Sequence, residues 1–471
     1  MSAKLEDGDD MKTQIQQLAR GWIAALRYRQ TQGPGKMRDL VLGAYISGKP
    51  PPPRLDDPRA VEWIAERIAE RVTDATRDVI RQTVLEEIAA ALAGRAVAPP
   101  PGSELVPLPS MDIQLEENRI NCLDLFSGAG GMSLGFQDAG YDVVAATDYD
   151  KDAAATYRRN FPKAKFIEGD ITTDKIKDDI CAAFKGRMCH VIIGGPECDA
   201  FSMAGKRDPK DARARLFLDY VELVRRLHPI CCVMENVPGI LSARTPKGKR
   251  GSVLVEVEKA FRGIGYQVEQ RQLDASDFGV AQRRKRIIFI TSGDRFAPII
   301  FPAIPRPGAG PDAWGYTGIQ RAIYDLADVP DGKVQGHVRT RHSQEFVERI
   351  RAARAAGKKQ LGDYSEATRF PKAEAPAPTQ KDNHGMADIH YRDDRVLTPR
   401  EQARLQGFPD SFEFVGSQGS MRKQVCNAVP PDLAQGVAAT LKTVILHSLT
   451  MNFLSRALDD ATKMFGRRMR S

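Results

Sequence analysis

The sequence predicts an α/β protein built on a doubly wound, mostly parallel sheet. Two observations carry that expectation. From Ile120 onward, short apolar runs alternate with helix-patterned stretches, the order that repeated strand–helix units impose. Several of those runs also stop at Gly, Pro or acidic residues, and an open α/β sheet presents its ligand-binding groups at the carboxyl ends of its strands.

Taken in order, INCLDLF reads as a strand and SGAGGMSLGF as a glycine-rich turn entering a helix. Strand DVVAATD, helix KDAAATYRRNF, strand KFIEGD and strand CHVIIGG follow, then a helix over Leu216–Leu227. CCVMENV, YQVEQRQL and RIIFITS complete the sheet. Between about Phe296 and Thr398 the alternation stops; Pro and Gly are frequent there, and one helix, SQEFVERIRAARAAG, stands out. The α/β texture resumes with LTPREQARLQGFPD and KQVCNAVPPDLAQGVAATL.

Ahead of the sheet, Met11–Thr31 is expected to be helical. Val61, Ile64, Ile68, Val72, Ala75, Val79, Ile88 and Leu92 then form an amphipathic stripe. Such a stripe suits packing on the body of the protein as well as pairing with a second chain. Clustered prolines make Ala96–Ser110 a linker. The chain therefore divides into a helical extension with its linker (1–112), a main α/β domain (113–295), a smaller insert or second lobe (296–397) and a return to the main domain with a terminal helix (398–471).

Composition narrows the function classes. At 471 residues, 42% hydrophobic and 28% charged, the chain has the make-up of a soluble globular protein. No apolar run reaches membrane-span length, and the start, MSAKLEDGDD, is unlike a secretory signal. The seven cysteines include no CxxC, which points to reduced thiols in a cytoplasmic setting rather than to a disulfide framework or a metal site. A net charge of +8 and a pI near 9.0 permit a polyanionic partner without requiring one.

Chemistry concentrates at the strand ends. In Asp124–Phe136, DLFSGAGGMSLGF, glycines let the backbone approach a ligand closely at a helix N-terminus. Asp148 ends the second strand, where a carboxylate suits the two hydroxyls of a ribose; Tyr149 beside it suits a purine face. Asp170, after the third strand, is placed to accept from an exocyclic amine. Together these ends describe a nucleoside-bearing cofactor, and no P-loop lysine accompanies them. The fourth strand runs into VIIGGPECDAFS, whose Gly-Gly-Pro turn holds Cys198 at the sheet edge, as a nucleophile or as a structural thiol. The fifth ends at Glu235 in ENVPG, where a buried carboxyl kept protonated can serve as an acid. In Gln282–Arg286, QRRKR, the alternate residues Arg284 and Arg286 are expected to enter a strand on one face and to hold a carboxylate or phosphate.

With those residues in view, the chain resembles the DNA (cytosine-5) methyltransferase family from about Ile120 to about Leu441. DLFSGAGGMSLGF resembles its cofactor loop, ENV and QRRKR its later catalytic motifs, and RVLTPREQARLQGFPD and NAVPP its two C-terminal motifs. The resemblance implies a Rossmann-like methyltransferase that takes S-adenosylmethionine and flips a cytosine out of double-stranded DNA. It implies that Cys198 adds to C6 of the base while Glu235 holds N3, with Arg284 and Arg286 positioning both. It implies a cofactor pocket lined by Phe126, Gly128, Gly130, Asp148, Tyr149, Asp170, Ile171, Pro196, Asn427 and Val429. It places Ser202 and Gln282 against the DNA and makes 296–397 the target-recognition lobe, in which His337, Arg339, Arg341 and His342 are candidates for phosphate or base contacts. A cognate restriction endonuclease is the partner expected of a restriction–modification enzyme, and the N-terminal helices offer a route to self-association.

Two positions depart from the family pattern. Its nucleophile loop reads Pro-Pro-Cys-Gln, whereas this chain has Pro196-Glu197-Cys198-Asp199. Two carboxylates beside a thiol raise its pKa and slow attack. The other departure is Cys426, where the family has glycine before the asparagine. The altered loop keeps further readings open: a regulatory relative that binds DNA without efficient transfer, a different C5 modification, or an RNA substrate.

Overall fold

The computed structural model describes residues 120–196, 216–245, 248–294, 297–303, 317–362, 368–380 and 388–468. The expected N-terminal helices and linker, Cys198 with Glu197 and Asp199, and Ser202 all lie outside the described residues.

The first half of the chain alternates as expected: β1 (Ile120–Leu125), α1 (Gly131–Asp138), β2 (Tyr141–Asp148), α2 (Lys151–Asn160), β3 (Lys165–Glu168), α3 (Asp174–Ala183) and β4 (Val191–Gly194). Then come α4 (Leu216–Leu227), β5 (Cys231–Asn236), α5 (Ser252–Gly263), β6 (Gln267–Asp274), β7 (Gln282–Arg283) and β8 (Lys285–Ser292). Seven strands form one sheet in the order β3-β2-β1-β4-β5-β8-β6. Neighbours from β3 to β5 pair in parallel, while β8 runs antiparallel to both β5 and β6. That reversal follows from chain length. The 275–284 connection is too short for the crossover that a parallel partner needs, so the chain turns back on itself.

Both faces of the sheet are covered, so its central strands are apolar on both sides. Leu123, Leu125, Ile192, Cys232, Met234 and Phe289 pack with Ile180 of α3, Leu223 of α4 and Phe261 of α5. Their neighbours in sequence, among them Cys122, Val191, Ile193, Val233 and Ile290, point the other way, onto Phe136 of α1 and Leu433, Val437 and Leu441 of the long C-terminal helix. The period-2 alternation of a strand is what sorts these residues. Close packing on the second face depends on Gly135, where a Cβ would come within 2.3 Å of the Pro431 carbonyl oxygen.

The remaining elements are α6 (Ile319–Ile323), α7 (Gln344–Ala355), three two-residue strands β9 (Gln360–Leu361), β10 (Thr368–Arg369) and β11 (Ala377–Pro378), then α8 (Pro399–Leu405), α9 (Gln418–Asn427) and α10 (Pro431–Arg468). Ser343 caps α7 through a bond from Phe346 N–H. Ile319, Ile323, Ile350, Leu361, Ile389, Val396 and Leu405 form a small core of their own. Beside it β11 pairs in parallel with β7, a separate two-stranded ladder immediately ahead of β8 in the chain. Thr398 and Glu401 close a capping box on α8, and Glu401 also takes two bonds from Arg395 at 2.7 and 2.9 Å. No helix among the described residues is long and apolar enough to cross a membrane.

Candidate active site

The carboxyl ends of β1, β2 and β3 shape one side of the site. After β1 the chain takes positive φ at Phe126 (55°), Gly128 (52°) and Gly130 (98°), and turns directly into α1. At Gly130 a Cβ would sit 2.4 Å from the Phe161 ring, so only glycine fits. Beside Gly128 there is open space, the room a ligand needs to lie against backbone. Asp148 braces this turn: Oδ2 accepts from Gly128 N–H at 2.8 Å and Oδ1 from Asp150 N–H at 2.9 Å. Burial pushes the Asp148 carboxyl up, against the pull of those backbone bonds.

Tyr149 follows with its side chain 58% exposed at the sheet edge. Asp170 is exposed after β3, its Oδ1 taken by the N–H and hydroxyl of Thr172 at 2.9 and 2.8 Å. Ile171 is buried in the layer below it. Val429 is buried where the turn before α10 meets Gly131, and Asn427 is exposed at the end of α9. A backbone with open room, an exposed ring and an exposed carboxylate at three consecutive strand ends fit a cofactor that carries an amino acid at one end and an adenosine at the other.

One member of this region was not legible as a functional residue. Asp124, inside the apolar run of β1, is 1% exposed, and its Oδ2 accepts from the Ser133 hydroxyl at 2.6 Å. Ser133 is in turn 2.6 Å from the Tyr157 hydroxyl, so strand β1, α1 and α2 are tied together under the glycine turn. Oδ1 has no hydrogen-bond partner. Burial, with the nearby Asp148 charge, raises this carboxyl to about 7. An acid at a core position of an apolar strand is the signal that marks it.

The ends of β4 and β5 shape the other side. Arg286 Nε lies 2.6 Å from Glu235 Oε1. The second oxygen, Oε2, sits over Gly195, where an added Cβ would approach it to 2.8 Å. Asn236 donates to the Pro196 carbonyl at 3.4 Å and accepts from Val237 N–H at 2.9 Å, so the turn leaving β4 is fastened to β5. Glu235, Arg286, Gly195 and Pro196 are thereby brought together, with Cys198 two residues further along the chain.

Other expectations are corrected. Arg284 does not enter a strand beside Arg286, because it occupies the break between β7 and β8. It is 1% exposed and donates to the carbonyls of Cys426 at 2.5 Å and Gln380 at 3.5 Å, so the partner of Glu235 is Arg286 and not Arg284. Gln282, expected at the DNA, is fully buried; its amide donates to Gln406 at 3.1 Å and accepts from Gln380 N–H at 3.2 Å. Gln402 and Gln406 extend this amide network, which joins the insert to the C-terminal motifs. Arg339 clamps its own loop through Asp331 and the carbonyls of Ala327 and Val329. His337 is buried against Thr398, and His342 accepts from Val396 N–H. Of those four basic residues, Arg341 alone is exposed.

The geometry and the order of motifs have a counterpart in known proteins. The family model described as C-5 cytosine-specific DNA methylase matches residues 120–443. The chain belongs to the C-5 cytosine-specific DNA methylase family. It is 35% identical over 336 residues to the Type II methyltransferase M1.HphI of Haemophilus parahaemolyticus, covering 68% of this chain and 86% of that one. With the Type II methyltransferase M.NgoPII of Neisseria gonorrhoeae it shares 34% identity over 347 residues, 70% of this chain and 97% of the relative. Among solved structures, a prophage-encoded DNA modification methyltransferase of E. coli superposes with a TM-score of 0.54 at 28% identity, over 68% of this chain and 98% of that one. The reaction of this DNA methylase family is methyl transfer from S-adenosylmethionine to C5 of cytosine in DNA.

Four free thiols of this methylase share one environment. Cys122, Cys189, Cys231 and Cys232 are buried in the core and unpaired, and burial pushes the Cys232 thiol up to about 12. Such thiols are poor nucleophiles at neutral pH.

Proposed function

We propose that this enzyme is the modification partner of a restriction endonuclease and methylates a flipped-out cytosine in duplex DNA through a covalent Cys198 adduct. The supporting observation is the Glu235–Arg286 pair beside Gly195, which offers one carboxyl oxygen, Oε2, at the turn that leads to Cys198. Glu235 holds N3 of the base and donates a proton there as the Cys198 thiolate bonds to C6. The electron pair released into the ring makes C5 nucleophilic, which an unactivated cytosine lacks. The cofactor supplies an electrophilic methyl group on a sulfonium sulfur. After transfer, loss of the C5 proton to a base re-forms the ring double bond and expels the Cys198 thiolate, and the N3 proton returns to Glu235. Arg286 keeps Glu235 in place throughout.

On this reading Phe126, Gly128, Gly130, Asp148, Tyr149, Asp170, Ile171, Pro196, Asn427 and Val429 surround the cofactor, and 296–397 is the target-recognition lobe. Ser202 and Arg341 are the retained candidates for DNA contact. The enzyme acts in the cytoplasm on the nucleoid, and the N-terminal stripe is the region for self-association.

The test is nucleoside mass spectrometry of duplex DNA and of transfer RNA after incubation with S-adenosylmethionine, beside Cys198→Ala and Glu235→Gln. 5-Methylcytosine in DNA alone, absent with Cys198→Ala, is the expected result. A different modified base, product in RNA, or no product on DNA of varied sequence would overturn it.

A further inference from the structure

The loop that follows β5 carries a basic surface that none of the motifs accounts for. Arg244, Lys249 and Arg250 are exposed, and among the described residues none forms an ion pair. Hydrogen bonds tie together the described residues on either side of positions 246–247. Gly251 N–H donates to Ala243 at 3.1 Å, Gly248 N–H to Thr245 at 3.0 Å, Ser252 N–H to Lys249 at 3.0 Å, and Thr245 N–H to the Ser252 hydroxyl at 2.8 Å. Lys249, Arg250 and Lys259 line a shallow cleft of about 310 Å³ with Ser252 and a single carboxylate, Glu256.

Topology fixes where this surface lies. β5 is parallel to β4 and β1, and the loop leaves its carboxyl end just after Glu235 and Asn236. It therefore emerges at the same edge of the sheet as the Glu235–Arg286 pair and the glycine turn. Exposed cations also occur at the opposite, amino edge, at Lys163, Lys185 and Arg187, away from Glu235 and Arg286. A polyanion that delivers a base to Glu235 passes the first set and not the second.

We propose that Arg244, Lys249 and Arg250 grip the phosphate backbone of duplex DNA, holding the substrate at the edge where the base is flipped. This rests on the DNA reading above. Phosphate contacts position a duplex without reading its sequence, so the grip acts alike on every site.

The experiment measures binding of a duplex oligonucleotide to the full-length enzyme by fluorescence anisotropy over a series of salt concentrations. It compares wild type with Arg244→Ala/Lys249→Ala/Arg250→Ala. A second variant, Lys163→Ala/Lys185→Ala/Arg187→Ala, removes the same net charge from the other edge. Each released phosphate contact contributes about 0.9 to the slope of log K against log salt, so the loop variant should lower the slope by roughly 2–3 and weaken binding about tenfold or more at low salt. S-adenosylmethionine affinity and the thermal midpoint should stay at wild-type values, and the amino-edge variant should bind as wild type does. An unchanged slope in the loop variant, or an equal drop in both variants, overturns the proposal. So does a loop variant that loses affinity for transfer RNA but not for DNA. Wild-type methylation of the same duplex is scored separately. Its absence together with a reduced slope would sink the methylation reading and leave the grip standing.

Discussion

Arg286 Nε and Glu235 Oε1 stand 2.6 Å apart across β8 and β5, with the two side chains only 10% and 13% exposed. The antiparallel register that sets Glu235 opposite Ile288 puts Arg286 two residues beyond it on the same strand, which is how the reversed strand reaches the end of β5. A nearly buried ion pair of this kind orients a carboxyl more than it stabilises a fold, since desolvation offsets much of the attraction. Glu235→Gln is expected to lower kcat by about 10²–10⁴-fold, the range of a positioned proton donor, with unchanged S-adenosylmethionine affinity. Arg286→Ala should lower kcat similarly and also destabilise by about 3–5 kcal/mol, because it leaves a buried carboxylate without its partner. Single-turnover kinetics and urea unfolding of both variants separate these effects. Equal stability losses in the two would count against a positioning role for Arg286.

Gly195 gives an independent handle on the same carboxyl. A Cβ there would lie 2.8 Å from Glu235 Oε2, close enough to push the oxygen aside and not close enough to backbone to disturb the strand. Gly195→Ala should therefore cut kcat by about tenfold, as a sub-ångström misplacement of a reacting group does, while the unfolding free energy stays within about 1 kcal/mol of wild type. A large stability loss with intact kcat would show the opposite arrangement.

Arg284 illustrates why part of the site was not legible. Spacing alone made it a twin of Arg286, and the sequence does not reveal that the strand breaks at that residue. The structure shows instead a guanidinium holding the carbonyls of Cys426 and Gln380, which lie more than 90 positions away in the chain. Truncation to alanine removes the donor to both, and Arg284→Ala should cost about 2–4 kcal/mol in urea unfolding. The same limitation applies to Gln282, whose amide partners Gln406 and Gln380 are long-range. What did read directly from the residues were features with a local cause: apolar strand runs, the glycine turn after β1, and acids at strand ends. The reversed direction of β8 and the clamp formed by Arg339 depend on connection length and on loop geometry, which a linear pattern does not display.

Asp124 predicts a pH dependence of stability. Its carboxyl is raised from 3.8 to about 7 by burial and by the Asp148 charge. The folded state therefore holds a proton that the unfolded chain has released, and stability contributed by Asp124 is present below about 4 and lost as pH rises through about 7. The difference in unfolding free energy between wild type and Asp124→Asn should shift in favour of the variant between pH 5 and pH 8, on the order of 2 kcal/mol. Asp148 and Asp432 are also raised by burial, and comparison with the single variant cancels their contributions. A flat difference across that range would mean Asp124 is ionised in the fold throughout.

Glu197 and Asp199 make the last prediction, and it concerns rate. A thiolate attacks and a thiol does not, so the fraction of Cys198 ionised sets the first bond-forming step. Carboxylates on both sides disfavour that ionisation by like-charge repulsion, which moves the acid limb of the rate profile to higher pH. Glu197→Pro/Asp199→Gln should move the limb back down and raise 5-methylcytosine formation near pH 7 by severalfold, with little change above the thiol's own pKa of about 8.5. The measurement is kcat/KM from pH 6 to pH 9.5 on one duplex. If the double variant is slower at every pH, the carboxylates assist the reaction, and attraction of Glu197 or Asp199 for the cofactor's sulfonium, or acceptance of a proton, becomes the better account.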